Sequence, residues 1–269
     1  MKKVLSALLS LSLVFSLAAC GGGSAPSAAP SEPAPEEVEV IVFAAASLTE
    51  TLNQIAEQYK SVAPQVKLTF TFDSSGTLQK QIEAGAECDL FLSAAPKQMN
   101  ALEEGGLIDT ATRLDLLENK VTLAVPQGNP AGIESYDQLA ELLKSGDVLL
   151  AMGNSDVPVG QYTLKIFDYY GIDEATVADK LTYGSNVKEV TTQVGEGAVD
   201  CGIIYATDAA SAGLTVVDQA TAEMCGQVIY PAAVLKESAH AEQAAAFLDY
   251  LKTEEAQSVF ASVGFAPAF

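Results

Sequence analysis

The chain reads as an α/β protein built on largely parallel sheets, and three observations say so. Short apolar runs of strand character alternate with amphipathic helical segments from about residue 38 onward. The connections between them carry Gly, Pro, Ser and Asp, the residues that stop one element and start the next. The stretch Val38 to Glu50, VEVIVFAAASLTE, runs from a buried strand through small residues directly into a helix. Ser47 and Glu50 stand at the spacing of a capping box, and Leu48, Leu52, Ile55, Ala56 and Tyr59 share one helical face. Such a strand-to-helix turn leaves backbone N–H groups free to hold an anion. Taken alone it also describes an ordinary βα turn with a capping serine.

Residues 1–19 stand apart from this pattern. Lys2 and Lys3 precede an apolar run, Val4 to Leu17, that is short for a bilayer span and has the form of a signal segment. It ends in Leu17-Ala18-Ala19-Cys20, which resembles a bacterial lipobox, so Cys20 is expected to be acylated and to become the mature N-terminus. Residues 20–37 are rich in Gly, Ser, Ala and Pro and have the composition of a flexible linker.

Beyond the linker, the apolar alternation of Val66 to Phe72 predicts a strand, followed by the polar turn Asp73 to Thr77 and a helix over Leu78 to Ala84. Cys88 to Ser93 reads as a strand, and Pro96 opens a helix that Gly105 and Gly106 close. Val121 to Val125 is a strand stopped by Pro126; Tyr136 to Lys144 is a helix; Val148 to Met152 is a strand. The loop Gly153 to Gly160 leads into a helix through Tyr170, and Asn186, with Glu189 at the capping spacing, starts another. Cys201 to Tyr205, CGIIY, is a buried strand, with further strands at Leu214 to Val217 and Val228 to Leu235 and a last helix from His240 to Leu251.

Composition narrows the partners. There are 35 acidic and 14 basic residues. Loss of Lys2 and Lys3 with the leader makes the balance more acidic still, which disfavours nucleic acid. Besides Cys20 there are Cys88, Cys201 and Cys225, an odd number that argues against a full disulfide framework. A buried thiol suits Cys88 and Cys201, and a Cys201–Cys225 bridge stays open. No His/Cys cluster has metal-ligand spacing, so no residue is assigned as a direct cation ligand. No G-x-S-x-G elbow accompanies Ser47 or Ser75, and the single histidine, His240, sits in an Ala- and Glu-rich helix; hydrolase chemistry lacks a base. Tyr169-Tyr170 could suggest a ferric site but fits an amphipathic helix end.

What recurs is the helix start. Ser47, Ser75, the Val157-Pro158-Val159-Gly160 loop and Ser185-Asn186-Val187 each lie where a loop enters a helix. In open α/β sheets ligands sit beyond the carboxyl ends of the strands. Converging helix starts there would offer hydroxyl and amide donors to a small anion with no obligatory Lys or Arg, and Tyr205 at the end of CGIIY would add a phenol.

These residues carry a resemblance. FAAASLTE at 43–50, SSGTLQKQIEAGAECDLFLSA at 74–94, DTATR at 109–113, VPVG at 157–160, GIIYATDA at 202–209 and the ending Val263-Gly264-Phe265 are similar to the molybdate-binding proteins of bacterial ABC transporters. The resemblance implies a two-lobed periplasmic-binding-protein fold, class II-like. Each lobe would be a mostly parallel sheet flanked by helices, with the ligand in the cleft. Residues 38–119 and the return at 227–269 would form lobe 1, and 120–226 lobe 2. Carried over by motif, the molybdate ligands would be Ser47, Ser75, the backbone of Val159, Val187 and Tyr205. It also implies a non-enzymatic, extracytoplasmic monomer on the cell membrane that takes molybdate or tungstate, needs no cofactor and serves permease subunits. Asp73, beside the serine turn, either makes a local turn bond or accepts a proton from a ligand such as hydrogen phosphate; phosphate or sulfate is thus the alternative oxyanion.

Overall fold

The computed structural model describes residues 37–269, so the leader, Cys20 and all but the last residue of the linker lie outside the described residues. The first sheet collects β1 (Val38–Ala45), β2 (Val66–Asp73), β3 (Leu90–Leu92) and β4 (Leu114–Asn119). Between them lie α1 (Thr49–Tyr59), α2 (Ser75–Glu83) and α3 (Pro96–Glu104). After the single residue Lys120 the chain enters a second sheet as β5 (Val121–Val125). It continues through α4 (Tyr136–Ser145), β6 (Leu150–Gly153), α5 (Pro158–Tyr169), β7 (Leu181–Gly184), α6 (Val187–Gly195), β8 (Cys201–Tyr205), α7 (Ala206–Ala212) and β9 (Thr215–Gln219). A short α8 (Ala222–Cys225) precedes the return to the first sheet as β10 (Val228–Val234), followed by α9 (Ala241–Tyr250), α10 (Glu254–Ser262) and β11 (Ala266–Pro267).

The six-stranded sheet has the order β11-β4-β10-β3-β1-β2 and the five-stranded sheet β7-β6-β8-β5-β9. This is the two-lobed α/β architecture, with one correction to the expected sheets. They are mixed: β1/β2, β1/β3, β6/β7 and β6/β8 are parallel, whereas β3/β10, β4/β10, β4/β11, β5/β8 and β5/β9 are antiparallel. The antiparallel members are the strands next to the sheet-to-sheet crossings, β4, β5 and β10, and their neighbours. A strand that carries the chain out of one sheet and a strand that brings it back run in opposite senses when they lie side by side, as β4 and β10 do.

Local sequence explains most boundaries. β1 is buried at Val40, Val42, Phe43, Ala44 and Ala45, as a strand covered on both faces should be. Ser74, Ser135 and Asn186 cap α2, α4 and α6, each side chain accepting an amide three residues on. Glu189 reaches back to the amide of Ser185 at 2.7 Å, one residue before the expected partner of a capping box. The capping box expected at Ser47 does not form. Ala46–Leu48 is a 3₁₀ turn, Leu48 occupies the N-cap of α1, and the Ser47 hydroxyl turns inward to Tyr230 Oη at 3.0 Å. The other serine turn, Asp73 to Thr77, is already helical from Ser75, because Ser74 rather than a later residue makes the cap. The strands β4, β7 and β11 and the helices α7, α8 and α10 are additions to the sequence-predicted set; most are short and lack a clean period. Cys88, Cys201 and Cys225 are buried free thiols. Among the described residues no helix is long and apolar enough to cross a membrane.

Candidate functional site

Five segments meet at the carboxyl ends of the strands. The six-stranded sheet sends in the β1–α1 turn with Ser47 and the β2–α2 junction with Asp73, Ser74 and Ser75. From the five-stranded sheet come Val157, Pro158 and Val159 at the start of α5, Val187 at the start of α6 and Tyr205 at the end of β8. With Ala45, Ala46 and Ala94 they line a small cavity of about 10 Å³, far below the cavities that take drug-sized ligands. All five residues proposed from the sequence, Ser47, Ser75, Val159, Val187 and Tyr205, line this one cavity.

Its chemistry is that of a donor cage. Pro158 and Val159 open α5, and Val187 opens α6, so the amides of Val159 and Val187 belong to the first turns, which have no intrahelical acceptor. Each helix start adds a partial positive charge of roughly half a unit. Ser75 Oγ, fully buried, accepts the amide of Ala94 at 2.9 Å, which leaves its proton for a second partner. Tyr205 Oη is buried and makes no hydrogen bond within the protein, an arrangement that costs about 1–3 kcal/mol unless something in the cavity accepts from it. Burial drives the phenols of Tyr205 and Tyr230 well above their usual range, so both stay protonated donors. The ring of Tyr205 is wedged edge-on between Tyr162 and Tyr230, at centroid distances of 6.4 and 5.7 Å.

No lysine or arginine lines the wall. Lys188, next to Val187, sends its ammonium away to Glu50 at 2.7 Å and to Asp208 at 3.3 Å. The acidic member of the wall is Asp73; its Oδ1 accepts the amide of Ser74 at 2.7 Å and faces Asn186 Nδ2 at 3.5 Å. Asp73 thus makes a local bond to the adjacent amide and one long contact to the other sheet's segment.

The two halves are held together around the cavity. Lys80 pairs with Asp156 at 2.6 Å, Lys188 with Glu50, and Gln98 with Gln161 at 3.4 Å, each joining an element of one sheet to one of the other. Gly76 packs so closely on Asp156 that a Cβ there would lie 2.1 Å from its carbonyl oxygen. Tyr169 and Tyr170 lie at the far end of α5, where Tyr170 donates to Asp137 at 2.8 Å, and His240 precedes α9; none of them lines the cavity.

Sequence reasoning did not single out Gly76, Asn119, Asp208 or Tyr230. Gly76 and Asp208 lie inside motifs that were recognised as wholes, GTLQK and GIIYATDA, but nothing local marks their partners. Tyr230 looks like one more aromatic of a buried strand until its hydroxyl is placed beside Ser47.

A family model described as bacterial extracellular solute-binding protein matches residues 40–266. The Molybdate-binding protein ModA of Escherichia coli is 37% identical over 235 residues, 86% of this chain and 90% of that one. Its namesake from Mycobacterium tuberculosis is 32% identical over 260 residues, covering 96% of both chains. In structure, the periplasmic molybdate-binding protein of Azotobacter vinelandii superposes with a TM-score of 0.73 over 84% of this chain and 98% of its own, at 21% identity, a likeness of fold.

Proposed function

The chain belongs to the bacterial extracellular solute-binding proteins, and from that premise we propose that it captures molybdate outside the cytoplasm and hands it to the permease of an ABC transporter. The observation that carries this reading is the cage itself. Two serine hydroxyls, two helix-start amides and a tyrosine phenol without a protein partner line one small cavity. Neutral donors with helix ends behind them suit a small, fully ionised tetrahedral oxyanion, whose every oxygen accepts. The two relatives described above are named for molybdate. Tungstate, with the same charge and shape, belongs to the same proposal.

Ser47 and Ser75 would each donate to a charged acceptor, a bond worth about 1.5–3 kcal/mol. Ser47→Ala and Ser75→Ala should therefore each weaken molybdate about tenfold to a hundredfold. Calorimetry with molybdate, tungstate, sulfate and phosphate is the test. The reading requires molybdate and tungstate to bind alike and the smaller sulfate much more weakly. Asp73 in the wall favours one other reading, a hydrogen-bearing anion such as hydrogen phosphate. If phosphate binds as tightly as molybdate and Asp73→Asn removes only that binding, the molybdate assignment gives way to a phosphate receptor.

The sequence before residue 37 supports a membrane-anchored form. An acylated Cys20 would hold the protein on the outer face of the cell membrane through more than one acyl chain, enough for stable attachment. Fractionation of cells that express Cys20→Ala should find the protein released from membranes; a variant that stays in the membrane fraction refutes the anchor.

A further inference from the structure

We infer that Tyr230, held by Asn119, is a positioning residue that fixes Ser47 as a donor toward the bound oxyanion. The inference rests on the oxyanion reading above and concerns two residues behind the cavity wall, Tyr230 and Asn119. Asn119 is the last residue of β4, one residue before the chain crosses into the second sheet. Its Oδ1 accepts the amide of Lys120 at 2.8 Å, and that bond fixes the orientation of the side-chain amide, since a flipped Asn would set an N–H against an N–H. Both Nδ2 protons are therefore directed the other way, one to Thr207 Oγ1 at 2.9 Å and one to Tyr230 Oη at 3.1 Å. Tyr230 is 1% exposed, and its oxygen lies 3.0 Å from Ser47 Oγ.

The direction of the chain follows by counting protons. Tyr230 Oη already accepts from Asn119, so its own proton needs an acceptor. Of the two hydroxyls that face it, Ser47 Oγ stands in hydrogen-bonding geometry at 3.0 Å and Tyr205 Oη does not, so Ser47 takes that proton. Ser47 then accepts from behind and keeps its proton for the cavity it lines. The order Asn119 to Tyr230 to Ser47 to anion gives every polar hydrogen an acceptor, and an acceptor-only anion is the terminus it requires. Ser75 is treated the same way by a different device, with the Ala94 amide behind its oxygen. Both serines are thus held as acceptors on the protein side, and the one on β1–α1 depends on a side chain of β10 that no helix-start motif reveals.

The test is a double-mutant cycle on the purified full chain, read by calorimetry with molybdate, with thermal unfolding of each ligand-free variant as the control for folding. Tyr230→Phe keeps the ring and removes only the hydroxyl. It should weaken molybdate about twofold to tenfold when Ser47 is present. In the Ser47→Ala background it should change nothing further, because the group it positions is gone. A merely structural role would lower affinity by the same factor in both backgrounds, and that additive result overturns the inference, as does a Tyr230→Phe protein that binds like the parent. Asn119→Ala, which leaves Tyr230 in place without its donor, is the second variant and must show the same dependence on Ser47. If the parent protein binds no molybdate, the oxyanion reading fails and the inference with it. If the parent binds and Ser47→Ala weakens it, the reading stands whatever Tyr230 does.

Discussion

Gly76→Ala is expected to weaken molybdate binding by about tenfold to a hundredfold while leaving the ligand-free protein as stable as before, or more so. The two effects separate because they arise in different places. Gly76 lies in the first turn of α2, where alanine is the better helix former by up to about 1 kcal/mol. Its backbone is not in the left-handed region, so no strain attends a Cβ there. What a Cβ meets is the backbone of Asp156, with the carbonyl oxygen at 2.1 Å, the carbonyl carbon at 3.0 Å and Cα at 3.3 Å. A backbone neighbour cannot rotate aside as a side chain can. Asp156 follows β6 and belongs to the other sheet, so the cheapest relief is to move the two halves apart at the cleft. Overpacking of this kind costs about 1–3 kcal/mol, and it falls on the closed form that the donor cage needs. Calorimetry against molybdate, paired with the melting temperature of the ligand-free protein, checks both parts. Unchanged affinity would show that the contact between Gly76 and Asp156 is not needed for binding; a large drop in ligand-free stability would place its role in folding instead.

Asp208→Asn should raise thermal stability at about pH 8 and give no gain at about pH 4. Asp208 is 1% exposed, neither carboxylate oxygen has a well-aligned hydrogen bond, and the compensating charge is the Lys188 ammonium at 3.3 Å, shared with Glu50. Burial pushes its carboxyl up to about 6 from an ordinary 3.8, with Lys188 pulling the other way. A folded-state value above the unfolded one means that the folded protein holds the proton more tightly. The resulting stabilisation is fully present below about 3.8 and is lost as pH rises through about 6. From the size of the shift, the parent should give up stability on the order of 3 kcal/mol across that window, and the asparagine variant, which has nothing to titrate, should not. Melting temperature against pH for both proteins is the measurement. Curves that stay parallel from pH 4 to about 8 would mean that Lys188 compensates the buried charge in full.

The five lining residues were legible because each belongs to a local pattern. Ser75, Val159 and Val187 stand where a turn enters a helix, Ser47 follows an Ala-rich strand end, and Tyr205 ends an apolar strand run. Their motifs occur in one order along the chain, so resemblance and local chemistry selected the same positions. The same locality misled at Ser47, where the spacing to Glu50 suggests a cap. The hydroxyl goes instead to a partner 183 positions away, and nothing in a thirteen-residue stretch can encode that.

Composition, periodicity and capping chemistry are properties of neighbours along the chain, and they determined the α/β class, the approximate order of most of the strands and helices, and the types of donor available to a ligand. Strand sense, the Asn119–Tyr230–Ser47 chain, the cross-cleft contacts of Gly76 and Lys188 and the burial of Asp208 were decided only by tertiary structure. Each pairs groups from distant segments. The free energy of such a pairing depends on distance, direction and the exclusion of water, quantities that come into being only when the two sheets are folded against each other.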